Sequence, residues 1–147
     1  MKMKMIHANR NEFMSAFKGH KTYLEASINK NSSPSYSDCL LFFYALECGL
    51  KSYFLYQNNL FSTQEAARVN HLKTHNLSFL IKANKLPAQV MGALGREYLF
   101  KLQRDGTKQE ISDIHQAWRY HILIDAADEK EILRGLQALK IWLEENL

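Results

Sequence analysis

A pair of opposite charges stands inside the most apolar stretch of the chain. Glu47 and Lys51 are the only charged side chains within residues 40–54, and they are four residues apart. On a helix this spacing places both on one face, with the glutamate in the favourable N-terminal position. Two interpretations are open. Either the pair is a solvated contact on a water-facing side, or Glu47 lies in a cleft and holds a cation from another helix, for which Arg119 is the best candidate.

The tetrapeptide from Trp118 to His121 combines aromatic rings with a cation near the end of a predicted helix. An arginine pairs with a carboxylate or phosphate through two parallel hydrogen bonds and also stacks on aromatic rings. Arg119, Tyr120 and His121 are therefore candidate ligand-binding residues. The alternative is an aromatic anchor, with the arginine stem lying along apolar surface and its charged head in water.

His75 follows Thr74 at the expected start of another helix. The free N–H groups of a helix N-terminus attract anions, and a histidine there can hold a phosphate or transfer a proton. The alternative is a helix-start residue that only contacts a neighbouring helix. His71 and His75 have the spacing of two metal ligands, but the chain lacks a His-Glu-x-x-His motif, a glycine-rich phosphate loop and a Gly-x-Ser-x-Gly elbow. We therefore predict no metal site and no cofactor.

The periodicity of apolar residues predicts the elements that position these side chains, in an all-α fold: an antiparallel up-and-down bundle of four to six helices. Ser33 is the expected N-cap of the second helix and Pro34 its first residue. That helix has almost no polar side, so we expect it to be central and packed on several sides. The predicted helices cover approximately residues 9–30, 34–56, 75–85, 88–103, 108–120 and 128–146, with a further short helix beginning near Ser62.

Length and composition fit one soluble domain spanning residues 1–147. Hydrophobic residues make up 46% and only 6 Gly and 2 Pro occur, which disfavours sandwiches, barrels and disordered tails. The longest apolar run, from Cys39 to Leu46, is far shorter than the roughly 20 residues that cross a bilayer. Cys39 and Cys48 form no Cys-x-x-Cys motif, so we expect reduced thiols in a cytoplasmic protein that does not engage a membrane.

The net charge of +4 is unevenly distributed. Residues 1–85 carry 11 Lys/Arg and 5 Asp/Glu, a net of +6, whereas residues 86–147 carry 8 and 10, a net of −2. This asymmetry favours an anionic partner at one end of the protein, or simply reflects two differently solvated faces.

Four segments together resemble the HEPN family, the higher eukaryotes and prokaryotes nucleotide-binding domain. Residues 45–51, Ala-Leu-Glu-Cys-Gly-Leu-Lys, are similar to the Ala-x-Glu-x-x-Leu-Lys signature of its second helix. Residues 74–80 resemble its His-x-Leu-x-x-Leu segment, and residues 118–120 resemble the Arg-Tyr ending of a later helix. Residues 138–143 are similar to its closing helix, and the order and rough spacing agree over about 100 residues.

The resemblance implies a helical bundle, often dimeric, with a role in bacterial toxin–antitoxin, abortive-infection or antiphage defence systems. It also implies a first hypothesis for function, a module that binds a nucleotide or RNA phosphate. Arg119, Lys51 and His75 would contact the ligand, Glu47 would orient Arg119, and Tyr120 would complete the cleft.

Two further hypotheses remain open at this point. One is a metal-independent ribonuclease with His75 as general base and Arg119 stabilising the charge of the phosphorane. The family's Arg-x(4–6)-His motif of a late helix is not found after Arg119, where only His121 follows. The other is a non-catalytic subunit that acts through its own homodimer or through a partner such as a nucleotidyltransferase.

Overall fold

The computed structural model describes residues 8–19, 35–62, 76–87, 94 and 98–147. Over these residues the fold is mainly helical, as predicted, but it also contains a small two-stranded sheet that the all-α prediction missed. The elements are α1 (10–19), α2 (Tyr36–Gln57), α3 (Leu77–Ala83), β1 (Leu99–Lys101), β2 (Lys108–Glu110), a 3₁₀ turn (Ile111–Asp113), α4 (Ile114–Arg119) and α5 (Ala126–Asn146).

A capping box sets the start of α2. The Ser35 hydroxyl accepts a hydrogen bond from the Asp38 N–H at 3.1 Å, and the Asp38 carboxylate accepts one from the Ser35 N–H at 3.1 Å. The predicted start at Ser33 and Pro34, which themselves lie outside the described residues, is therefore wrong. Ser35 has an acidic residue three positions on, which Ser33 lacks.

α2 is the central helix, as its composition predicts. It packs against α3, α4 and α5. By length and mean hydropathy it could cross a membrane, yet 67% of that window is buried inside the protein. Its apolar character is therefore that of the core helix of a soluble protein. The largest buried side chains around it include Phe43, Leu46, Leu50, Leu80, Phe100, Ile114, Trp118, Ile132 and Leu136.

Gly49 allows two other helices to approach the middle of α2 closely. A Cβ at this position would lie 2.9 Å from Leu143 Cδ1 and 3.1 Å from Phe17 Cδ2. Both distances are shorter than ordinary van der Waals contact, so a larger residue would force the Leu143 and Phe17 side chains to shift. Gly49, which lies between Glu47 and Lys51 in the chain, therefore allows Leu143 and Phe17 to pack closely against α2.

A β-hairpin lies where the sequence predicted the end of one helix and the start of the next. β1 and β2 are antiparallel with Phe100 opposite Gln109, and the connecting turn includes Gly106 at φ 72°, a conformation that glycine favours. The helices predicted over 88–103 and 108–120 are therefore wrong across these strands, although residues 88–93 and 95–97 lie outside the described residues. The exposed–buried–exposed alternation of β1 is only three residues long, too short to outweigh a helical pattern in the sequence.

Asp128 holds the hairpin to the first turn of α5. Its carboxylate accepts hydrogen bonds from the Tyr98 hydroxyl and from the Lys101 N–H, each at 2.8 Å, while the Asp125 N–H donates to the Lys101 carbonyl at 2.9 Å. Burial, reinforced by the bond to Asp128, raises the pKa of Tyr98 to about 12. The hairpin is therefore fixed to the core rather than projecting as an independent arm.

Side-chain caps also set the starts of α3 and α5. The Asn76 side chain accepts from the Phe79 N–H at 3.1 Å, so α3 begins after Asn76 rather than at His75 as predicted. The Asp125 side chain accepts from the Asp128 N–H at 3.2 Å, so α5 begins at Ala126, two residues before the predicted start.

The predicted first and third helices lie partly outside the described residues. α1 covers 10–19 of the predicted 9–30. Ser62, the predicted start of a short helix, pairs with Asn9 in an isolated β-bridge, and residues 63–75 lie outside the description.

Both cysteines of α2 are free thiols, Cys39 buried and Cys48 half-buried. Burial raises the pKa of Cys39 to about 12 and that of Cys48 to about 11. Nine residues of helix separate them by about 13.5 Å, too far for a disulfide. Cys39 belongs to the hydrophobic core, and Cys48 packs against it.

Candidate functional site

The exposed polar residues at the end of α4 form one surface feature with the N-terminal half of α2. We call it the Arg119 corner, and it consists of Tyr36 and Tyr44 on α2 together with Arg119, Tyr120 and His121. Arg119 is the last residue of α4 and Tyr120 is its C-cap. His121 follows with φ 56°, a left-handed conformation that turns the chain sharply at this point.

A tyrosine holds the Arg119 guanidinium. Its Nη2 donates a hydrogen bond to the Tyr44 hydroxyl, which raises the pKa of Arg119 above its usual value. The side chain is otherwise exposed. The Tyr120 hydroxyl also interacts with the guanidinium. Arg119 thus carries a permanent positive charge on an exposed side chain held by Tyr44, an arrangement suited to pairing with a phosphate or carboxylate.

Two rings lie beside this cation. Tyr120 is 65% exposed, which is unusual for a large aromatic side chain. The His121 ring lies 6.1 Å from that of Tyr36. The Tyr36 hydroxyl is in turn fixed, donating to Glu129 at 3.0 Å and accepting from the Ile124 N–H at 3.1 Å. The corner therefore presents an exposed ring for stacking beside a positioned guanidinium.

The tetrapeptide from Trp118 to His121 was interpreted either as an aromatic anchor or as a binding segment, and each description fits some of its residues. Trp118 is a core residue with 1% exposure, as expected for an aromatic anchor. Arg119, Tyr120 and His121 are all exposed, as expected for binding residues. The helix end separates the two sets, because Trp118 points into the core while the residues after it leave the helix.

Glu47 and Lys51 pair with each other inside the protein. Lys51 Nζ lies 3.7 Å from Glu47 Oε2, and each side chain is 9% exposed. The interpretation as a solvated contact is therefore wrong, and so is the proposed pairing of Glu47 with Arg119, whose guanidinium bonds to Tyr44 instead. Tyr44 precedes Glu47 by three residues, about 4.5 Å along the axis of α2. Both side chains are buried among the described residues, and their predicted role in binding a ligand stays a prediction.

His75 lies outside the described residues, so its predicted catalytic role stays a prediction. Within the described part of the chain, no three His, Cys, Asp or Glu side chains are grouped as metal ligands would be.

A groove next to the hairpin was not predicted. It has a volume of about 490 Å³ between α3, β1 and the 3₁₀ turn, with Asn76, Lys82, Leu99 and Glu110 among its lining residues. The sequence signals of the hairpin that forms one of its walls are the Asp105-Gly106 turn and three alternating residues, and the turn alone does not distinguish a hairpin from a link between two helices.

Sequence reasoning also missed the two tyrosines of the Arg119 corner. Tyr36 and Tyr44 are eight residues apart, which places them within about 80° on one side of a helix. Two hydroxyls on one side of an otherwise apolar helix were the available signal. Their partners, however, lie 88 and 75 residues away along the chain.

No protein-family model, no characterised protein and no solved structure matches this chain.

Proposed function

We propose that the protein is a HEPN-like module that binds a nucleotide or RNA in a cytoplasmic bacterial defence or toxin–antitoxin system. The observation that carries the proposal is the exposed Arg119 guanidinium, held by Tyr44 beside the exposed ring of Tyr120. The order of the four segments that resemble the HEPN family supports the choice of system.

In this proposal, a phosphate of the ligand pairs with the solvent-facing side of Arg119. Arginine presents several N–H donors in a planar fork, and the bond to Tyr44 orients that fork before any ligand arrives. A base stacks on Tyr120, because every base has a face that an aromatic ring can cover. His121 supplies a further polar contact at the rim. Glu47 and Lys51 have a structural role beneath the site.

The test compares Arg119→Ala with Arg134→Ala. Arg134 is an exposed arginine on α5 that pairs only with Glu131 among the described residues, so its loss removes the same charge from another surface. Fluorescence anisotropy would follow a labelled nucleoside monophosphate and a labelled single-stranded RNA. We expect Arg119→Ala to weaken both by at least about tenfold, as for a lost charge-assisted phosphate contact.

Arg134→Ala should leave both affinities close to those of the wild type. Melting temperatures of all three proteins show whether each variant is folded. If folded Arg119→Ala binds as the wild type does, or if the wild type binds neither probe, the proposal is wrong.

A metal-independent ribonuclease is the second candidate, favoured by the same exposed and oriented Arg119. A guanidinium so placed stabilises the charge that develops on a phosphorane. Labelled RNA incubated with EDTA would be cut by the wild type and left intact by Arg119→Ala and His75→Ala. RNA that stays intact with the wild type, while a control ribonuclease cuts it, leaves the binding module as the function.

The protein is proposed to act as a homodimer or with a partner such as a nucleotidyltransferase. Leu123, which is 58% exposed shortly after α4, is the apolar side chain proposed to lie in such an interface, while Tyr120 stays open to a base. Light scattering of the wild type and of Leu123→Glu measures this directly. A monomeric wild type excludes the homodimer.

A further inference from the structure

Two lysines face each other across the hairpin. Lys101 on β1 is the register partner of Lys108 on β2. The flanking pairs Tyr98–Ile111 and Leu102–Thr107 are linked by backbone hydrogen bonds, so by alternation Lys101 and Lys108 form a non-hydrogen-bonded pair. Side chains in such pairs are the closest in an antiparallel sheet, and like charges directly opposite each other are unfavourable. We call these two residues the lysine pair.

The charge of the lysine pair is not neutralised within the described part of the chain. Both side chains are exposed, and neither forms an ion pair there. The hairpin turn does contain a neutralised cation, since Arg104 lies 3.7 Å from Asp105. The lysine pair thus consists of two exposed cations without an ion pair among the described residues, and the Glu110 carboxylate lies beside them on the same face of the hairpin.

The lysine pair is also held in place. Asp128 accepts from the Lys101 N–H at 2.8 Å, and the Lys101 carbonyl accepts from the Asp125 N–H at 2.9 Å. Both bonds join the Lys101 backbone to the start of α5, and the pairing with β2 holds Lys108 opposite it. The backbone therefore keeps both lysines on one face, and a phosphate that binds them has only their side chains to order.

The groove of about 490 Å³ begins next to the lysine pair. Leu99 and Glu110, the cross-strand pair beside it on the same face, both line this groove. Its volume lies within the usual range for small-ligand sites, about 300–1,000 Å³. The lining offers an apolar wall at Leu99, a carboxylate at Glu110 and an amide at Asn76. A carboxylate accepts hydrogen bonds from base amino groups, as in contacts to cytosine N4.

We infer that the lysine pair binds the phosphate backbone of single-stranded RNA and that the groove takes one unstacked base. The inference rests on the proposed function and narrows it, because a free nucleotide would need only the Arg119 corner. A single strand is favoured over a duplex, since its bases can leave the stack and enter a groove. The ligand class is therefore a single-stranded polynucleotide that contacts both surfaces.

The experiment compares Lys101→Gln/Lys108→Gln with a matched control, Lys130→Gln/Arg134→Gln. The control removes two exposed positive charges from one face of α5. Three probes are used in anisotropy or competition: a labelled single-stranded oligocytidine, the same strand in a duplex, and cytidine monophosphate. Each contact with a single strand contributes about 0.7 to the slope of log K against log salt. Loss of two contacts should reduce the slope by about 1.4 and weaken binding about 25-fold at about 0.1 M salt.

The inference holds if the hairpin variant loses oligocytidine affinity by that amount while its affinity for cytidine monophosphate stays within about twofold of the wild type. It is overturned if the hairpin variant binds the oligomer as tightly as the control variant does, or if duplex and single strand bind equally well. The proposed function is tested separately by cytidine monophosphate and Arg119→Ala. If Arg119→Ala weakens every probe and the hairpin variant none, the proposed function stands and the further inference fails.

Discussion

Replacing Lys51 by methionine should destabilise the protein strongly. In the sequence, Glu47 and Lys51 have the spacing of an ordinary surface ion pair of a helix. Methionine keeps the length of the lysine stem and removes only the charge. At 3.7 Å the attraction between the two charges is about 4.5 kcal/mol for an effective dielectric constant of about 20. Both side chains are 9% exposed, so the variant leaves a buried carboxylate without this cation. Breaking a buried pair typically costs about 3–5 kcal/mol, and we expect a loss of unfolding free energy in that range.

Urea unfolding measures this effect, with the slope of free energy against urea compared between proteins to confirm the same transition. The matched variant is Glu47→Gln/Lys51→Met, which removes both charges and keeps the shape and hydrogen-bonding groups at position 47. It should recover most of the lost free energy. If Lys51→Met costs less than about 1 kcal/mol, the pair behaves as a surface contact and the argument from burial is wrong. If the double variant is stable but no longer binds RNA, the pair has a direct role in binding instead.

Three further outcomes are expected. Asp128→Ala leaves the Tyr98 hydroxyl and the Lys101 N–H without their acceptor, so it should lower the free energy of urea unfolding by about 2–4 kcal/mol. The control Glu145→Ala, at an exposed position of α5, should change that free energy little. Equal effects of the two substitutions would contradict the anchoring role of Asp128. Gly49→Val should lower the free energy of unfolding by about 1–3 kcal/mol, because the larger side chain overpacks the contact with Leu143. Adding Leu143→Ala to the same protein should recover part of this loss. If the double variant instead loses the sum of the two single effects, the two residues are not in close contact. Burial raises the pKa of Cys39 from 9.0 to about 12, so as the pH rises the thiol loses its proton in the unfolded state before it does so in the folded state. The free energy of unfolding therefore falls between these two pH values, by at most about 1.4 kcal/mol per pH unit. Urea midpoints across that range should fall less for Cys39→Ala than for the wild type, and parallel curves would show that another group is responsible.

The sequence predicts the helices best where a long pattern repeats. α2 and α5 are each more than 20 residues long, and their apolar positions set both the element and its place in the core. The hairpin could not be predicted in the same way, because each strand is three residues long and its pairing depends on contacts with α5. The cap of α2 was misplaced by two residues, at Ser33 instead of Ser35, and that of α5 by three, at Asp128 instead of Asp125. In both cases neighbouring residues of similar type compete for the same role.

The candidate site was predicted in part for a related reason. The residue types at Arg119, Tyr120 and His121 indicate binding chemistry, and their exposure follows from the end of a helix. The partner of Arg119 could not be predicted, because Tyr44 lies 75 residues earlier and only the packing of α4 on α2 brings them together. The spacing of Glu47 and Lys51 predicts their contact with each other but not their burial, which depends on how closely the surrounding helices approach α2.

The central position of α2 has a consequence for how the protein is made. Part of the surface that covers this helix comes from α5, and the apolar residues of α5 are synthesised long after those of α2. A growing chain therefore carries an exposed apolar helix until Leu136, Leu139 and Leu143 have left the ribosome. During that interval α2 is a site for chaperone binding and for aggregation, so the yield of soluble protein should depend on translation speed and chaperone supply more than the stability of the finished fold suggests.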